Sequence, residues 1–167
     1  MFRRMNDFLG AYRSLSEGTG RLLEAMNDRT AGQPVAEGHR TLGRIAWHIV
    51  TTVPEMMKRT GLPLSSVDPD LPPPESAAEI AVAHRAVSAE LVAALEKGWS
   101  DDTLEKTDDM YGEMWPRGKT LAALISHEMH HRGQMTVLLR QAGAKVPGLF
   151  GPSKEEWARF GMQPPPY

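Results

Sequence analysis

Apolar side chains recur at intervals of three and four residues along four long segments of the chain, as they do on one face of an amphipathic helix. The predicted helices span about residues 2–27, 41–60, 76–97 and 120–142. No segment shows the strict alternation of apolar and polar residues that is typical of a half-buried strand. The pattern therefore predicts an all-α protein.

Local signals refine these helices. Thr41 can act as an N-cap, because its side-chain oxygen can accept a hydrogen bond from a free backbone N–H. Ser76-Ala-Ala-Glu79 has the spacing of a capping box, and a second such spacing at Ser153-Lys-Glu-Glu156, ahead of Trp157, predicts a short extra helix near the C-terminus. Pro54 has no N–H, so it should kink or break the second helix.

Two connections are long. Residues 61–74 are rich in proline, which excludes a helix or a central strand. Residues 99–119 lack clear periodicity, and loops of this length in compact domains are usually functional or disordered. Because the second connection carries Tyr111, Met114 and Trp115 and leads into the last helix, it is predicted to be a lid or substrate wall. A solvated crossover anchored by tryptophan is the alternative.

Composition sets further limits. The 167 residues suit one domain spanning 1–167, and 41% hydrophobic with 24% charged residues is an ordinary soluble composition. The net charge of -2 provides no field that would attract nucleic-acid phosphates, and the absence of cysteine excludes disulfides and thiolate ligands. With neither a signal peptide nor a membrane-length apolar run, we expect a cytoplasmic protein without a membrane or nucleic-acid partner.

The densest chemistry lies in HEMHHRGQ, residues 127–134. His127, Glu128 and His131 match the H-E-x-x-H pattern of zinc proteases. Glu128 and His131 also match E-x-x-H, half of the di-iron signature of ferritin-like bundles. His130 is the third histidine, and all three cannot bind one ion together with the carboxylate.

Helical geometry separates these side chains. At 100° per residue, His131 and Glu128 fall inside the apolar face of the last helix, His127 lies on its flank, and His130 points away. Because residues i and i+4 lie one turn apart, His127 and His131 can approach one ion at about 2.0–2.1 Å each. We predict that this pair binds a metal; ordinary hydrogen-bonded core histidines are the alternative. Gln134 lies on the His127 side and should steady that ring or the next helix.

Two histidines need a further ligand. A zinc protease would present its motif helix beside a sheet, and a di-iron bundle would need a second E-x-x-H; the sequence contains no sign of either. The remaining histidines are His39, His48 and His84, of which His48 lies beside the apolar stripe of the second helix. Periodicity alone does not choose among them.

Three stretches resemble the DinB/YfiT-like superfamily of metal-dependent enzymes. LGRIAWHI at 42–49 is similar to the second-helix motif of that family, and SHEMHHRGQMTVLLRQAG at 126–143 is similar to its fourth-helix motif. VPGLFGPSKEEW at 146–157 resembles the segment that often follows. With the helix spacing, the resemblance covers nearly the whole chain.

The resemblance implies a four-helix bundle with up-down-down-up topology. It also implies a metal site of three histidines, which on this sequence are His48, His127 and His131. Zinc or nickel is the usual metal in such proteins, and members are commonly homodimers.

Characterised members of the superfamily include transferases and isomerases that use a low-molecular-weight thiol. The implied function is activation of such a thiol, or of water, for transfer to or hydrolysis of a small electrophilic substrate. Glu128 would then orient a ligand histidine or act as a general base. The alternative is a non-catalytic metal-binding or stress-response module that acts as a dimer.

Overall fold

The computed structural model describes residues 1–166 and contains four long helices joined by shorter elements. The helices are α1 (Met5–Ala25), the single turn α2 (Asp28–Ala31), α3 (Leu42–Arg59), α4 (Ala77–Gly98) and α5 (Arg117–Gln141). A hairpin of β1 (Thr107–Met110) and β2 (Glu113–Pro116) precedes α5. The predicted all-α, four-helix architecture is confirmed.

The long helices are arranged up-down-down-up. Three sets of contacts establish their directions: Arg13–Glu96 with Glu24–Arg85 for α1 and α4, Phe2–Gly118 with Leu15–Arg132 for α1 and α5, and His48–His127 with Thr60–Arg117 for α3 and α5. Thus α1 and α5 run parallel, whereas α4 opposes α1 and α3 opposes α5. Because α3 and α4 are then parallel, the chain must cross the length of the bundle between them, which explains the long proline-rich connection.

The apolar stripes of the four helices meet in one core. Its largest fully buried side chains include Phe8, Tyr12, Leu22, Ile45, Leu91 and Leu121. Each buried side chain of this size contributes roughly 1.5–3 kcal/mol relative to its exposed state. No helix within residues 1–166 is both long enough and apolar enough to cross a membrane.

Several local predictions are confirmed and others need correction. Thr41 caps α3 by accepting a hydrogen bond from the Arg44 N–H. Ser76 caps α4 through the Ala78 N–H, but the reciprocal half of the capping box is not formed. The helix α3 continues past Pro54 to Arg59, so the proline does not break it.

The hairpin was not expected from the sequence. Its strands have four residues each, and Tyr111 and Gly112 turn between them with φ values of 62° and 89°. Two positive φ values in succession match a type I′ turn, which suits the twist of a hairpin. Arg117 holds the hairpin to the bundle, since it forms an ion pair with Asp108 (2.8 Å) and donates to the Thr60 carbonyl oxygen (2.8 Å). The strands are short and are held by contacts with the helices, so the sequence shows no alternation of apolar and polar residues there.

The extra C-terminal helix is a single 3-10 turn at Trp157–Phe160. Glu156 accepts hydrogen bonds from the N–H groups of Ser153 (3.0 Å) and Gly148 (3.1 Å). The hydrogen bond from Ser153 is the one expected of the second capping box. The hydrogen bond from Gly148 also holds the preceding loop in place.

Candidate metal centre

Three imidazoles from two helices converge at one end of a cleft between α3 and α5. The Nε2 atom of His127 lies 3.1 Å from Nε2 of His48 and 3.1 Å from Nε2 of His131. The three potential ligand atoms all lie within 4.8 Å of one another. Within residues 1–166 this is the only group of three or more histidine or acidic side chains arranged to hold a metal ion.

The spacing fits a common ion. Two nitrogen ligands at 2.0–2.1 Å from a tetrahedral zinc ion are about 3.3 Å apart, close to the observed separations. Without an ion, the single proton that Nε2 of His127 can carry would serve only one of its two nitrogen neighbours. Imidazole ligands suit zinc, nickel, copper and iron, and three protein ligands leave a position open for a small molecule.

Gln134 sets the tautomer of His131, one of the three candidate ligands. Nδ1 of His131 donates a hydrogen bond to Oε1 of Gln134 (2.7 Å), which leaves the lone pair of Nε2 free for a metal. The amide nitrogen of Gln134 lies 3.3 Å from Nε2 of His130, on the exposed side of α5. Gln134 was expected to steady His127 or the next helix; it instead contacts His131, because its side chain bends along its own helix.

The environment keeps these imidazoles neutral. Burial, followed by the neighbouring His127 and His131, lowers the pKa of His48 to about 4. Burial is also the main cause that lowers the pKa of His127 and of His131. The positive charge of Arg40 contributes to the lowered pKa of all three. Metal ligands must be deprotonated, so a lowered pKa keeps the set ready to bind near pH 7.

Glu128 faces the other side of the bundle. Its carboxylate is 2% exposed and accepts a hydrogen bond from the Thr19 hydroxyl of α1 (2.6 Å). Nε2 of His84, on α4, lies 3.9 Å from the same carboxylate oxygen. Glu128 is therefore next to His127 in the sequence, but its hydrogen bond goes to α1 and not to an imidazole.

The β1–β2 hairpin forms one wall of a cavity of about 510 Å³ beside the histidines, which we call the hairpin cavity. Its lining includes His48, His127, Met56, Ala123, Tyr111 and Trp115. The Tyr111 hydroxyl donates to Glu55 on α3 (2.7 Å), and burial together with that carboxylate raises the pKa of Tyr111 to about 12. Met114 is 64% exposed and is not among the residues that line the cavity.

A second cavity of about 450 Å³ adjoins the first, and we call it the arginine cavity. Arg40 and Arg44 line it, and both cavities share His48, Thr51, Pro69 and Asp70. Sequence reasoning missed these arginines. Arg44 lies four residues before His48 on α3, and this spacing is the signal that could have identified it, because residues four apart follow one face of a helix. Arg40 precedes the Thr41 N-cap, so no helical spacing points to it.

Known proteins resemble this chain over almost its whole length. Residues 1–165 match the DinB family. The uncharacterized protein YrdA of Bacillus subtilis (strain 168) is 41% identical over 165 residues, which are 99% of each chain. The crystal structure of a DinB-like protein from Bacillus cereus ATCC 10987 has a TM-score of 0.86 and 42% identity, covering 90% of this chain and 100% of that one.

A more distant structure shares the fold alone. The DinB-like protein YjoA of Bacillus subtilis is 19% identical, with a TM-score of 0.69, over 86% of this chain and 96% of that chain. The bundle, the histidine cluster and the full-length sequence match agree with one another, and the chain belongs to the DinB family.

Proposed function

We propose that this chain is a metal-dependent enzyme in which His48, His127 and His131 hold one divalent ion, zinc or nickel. The reaction is attack by a low-molecular-weight thiol, or by water, on a small electrophile in the hairpin cavity. The observation that carries the proposal is the convergence of three Nε2 atoms, two of them 3.1 Å from the third, at the edge of a cavity. A bound divalent ion lowers the pKa of a coordinated thiol or water, which supplies the nucleophile near neutral pH.

The residues of the chain supply position and charge. Gln134 holds the proton of His131 at Nδ1, so that ring presents its lone pair to the cleft. Tyr111 and Trp115 line one side of the hairpin cavity and offer aromatic surface to a bound molecule. The charge of Glu128 favours positive charge at His127, so the carboxylate supports a cation there as a positioning residue. The expected alternative, a general base, does not fit its burial and its hydrogen bond to Thr19 on α1. The expected setting is a cytoplasmic homodimer.

Metal analysis tests the first half of the proposal. Wild-type protein purified without added metal should carry one equivalent of a divalent ion, whereas His48→Ala should carry almost none. His39→Ala is the matched control, because His39 is exposed and lies outside the cluster. A wild type without stoichiometric metal would refute the proposal, and full occupancy in His48→Ala would refute the assignment of the third ligand.

Turnover tests the second half. The metal-loaded protein should consume epoxide, halide or maleyl-type electrophiles in a thiol-dependent or water-dependent reaction that His48→Ala abolishes. Stoichiometric metal with no turnover across such a panel would favour the non-catalytic metal-binding module instead.

A further inference from the structure

The two cavities beside the histidines differ in chemical character. The hairpin cavity is lined by apolar and aromatic side chains together with the carboxylates of Glu55 and Asp70, whereas the arginine cavity carries Arg40 and Arg44. His48 belongs to the lining of both. A small molecule seated at the histidines can therefore extend an uncharged part in one direction and a charged part in the other.

The two arginines have no acidic partner of their own. Neither Arg40 nor Arg44 forms an ion pair or a side-chain hydrogen bond within residues 1–166. By contrast, Arg59 and Arg117, at the hairpin, each bond a carboxylate at 2.7–2.8 Å. Two positive groups that line one cavity repel each other, and an anion between them removes that repulsion.

We propose that Arg40 and Arg44 form an anion subsite that binds a carboxylate of the molecule that reacts at the three histidines. The identity of the reacting molecule rests on the proposed function, whereas the subsite itself does not need the metal. Guanidinium groups bind carboxylates through paired, charge-assisted hydrogen bonds, which also orient the ligand.

The local charge favours a carboxylate over a phosphate. Arg40 and Arg44 contribute two positive charges to the cavity and Asp70 contributes one negative charge, so the sum is 2 − 1 = +1. One carboxylate group of a ligand balances this sum, whereas one doubly charged phosphate group exceeds it.

The carboxylate can belong either to the thiol or to the electrophile, and three probes distinguish these sources. Succinate has carboxylates without a thiol, 2-mercaptoethanol has a thiol without a carboxylate, and mercaptosuccinate has both. If the thiol carries the anion, mercaptosuccinate should bind the metal-loaded protein more tightly than either of the others. If the electrophile carries it, succinate and mercaptosuccinate should bind alike.

The test is calorimetric titration of the full-length protein, with and without metal, at low ionic strength. Arg40→Gln/Arg44→Gln should weaken succinate and mercaptosuccinate binding on the order of tenfold and leave 2-mercaptoethanol binding unchanged. Arg3→Gln/Arg29→Gln is the control, because it removes the same charge from exposed arginines outside the cavity. Urea denaturation of each variant checks that the fold is kept.

The possible results distinguish failure of the anion subsite from failure of the proposed metal-dependent reaction. Equal succinate affinities in the two double variants would overturn the subsite, even if the metal is bound and the enzyme turns over. Arginine-dependent succinate binding in a protein that binds no metal would support the subsite while refuting the proposed function.

Discussion

Gln134 accepts a hydrogen bond from Nδ1 of His131 at 2.7 Å and so orients the imidazole that faces the other two histidines. Gln134→Ala should lower metal affinity about 10- to 100-fold, the range found when a partner of a ligand histidine is removed. Competition with a chromophoric chelator measures the change. Gln141→Ala, an exposed glutamine at the end of the same helix, should bind metal like the wild type. Equal affinities in the two variants would contradict the positioning role of Gln134.

The stability of the metal-free protein should depend on pH through His48. Its pKa is about 4 in the folded chain, against about 6.5 in an unfolded one, so unfolding takes up a proton between these values. The free energy of unfolding should therefore be independent of this group above pH 6.5 and fall as the pH drops from about 6.5 to about 4.

Urea denaturation across that pH range provides the measurement for wild type, His48→Gln and His39→Gln. The loss of stability on acidification should be smaller in His48→Gln, and His39→Gln should follow the wild type. Identical curves for wild type and His48→Gln would show that His48 is not held neutral by the fold.

Gly118 is needed where the N-terminal segment crosses the start of α5. A Cβ atom at this position would lie 2.1 Å from the carbonyl oxygen of Phe2, whose N–H bonds to Gly118. Gly118→Ala should destabilise the fold by about 1–3 kcal/mol, because the backbone must move. Gly133→Ala in the same helix meets nothing within 4 Å and should stabilise by up to about 1 kcal/mol through helix propensity. Thermal or urea denaturation compares the two.

The contact between Thr19 and Glu128 stabilises the bundle. Thr19→Val removes the hydroxyl that donates to the buried carboxylate at 2.6 Å and should cost about 1–3 kcal/mol. A double-mutant cycle with Glu128→Gln should show that the two changes are not additive, since the residues are in direct contact. Metal content should remain near that of the wild type in Thr19→Val. A loss of metal as large as in His48→Ala would instead connect Thr19 to the centre.

The hairpin wall depends on the bond between Tyr111 and Glu55. Tyr111→Phe removes the 2.7 Å hydrogen bond to α3 and should speed amide exchange within residues 107–116, with a stability loss of about 1 kcal/mol or less. Exchange measured by mass spectrometry should leave α1 protection unchanged. Equal exchange of the hairpin in wild type and variant would show that the turn is held by other contacts.

The four long helices could be predicted because their signals are local. Thr41 caps α3 and the apolar spacing within α5 places His131 inward and His130 outward, and both depend on residues within a turn or two. The hairpin could not be predicted in the same way. Its strands are short, and contacts of Arg117 with Asp108 and Thr60 hold it, which only the packed helices bring together.

His127 and His131 share one helix face because a spacing of four residues sets their angle whatever the rest of the chain does, so the sequence alone is enough to place them together. Resemblance to a family singled out His48, which helical periodicity left beside its apolar stripe. His48 meets that pair, and Arg40 lines the adjoining cavity, only in the packed bundle, because both positions depend on how α3 and the residues just before it lie against α5. Contacts between residues far apart in the chain follow from that packing, and no local pattern encodes it.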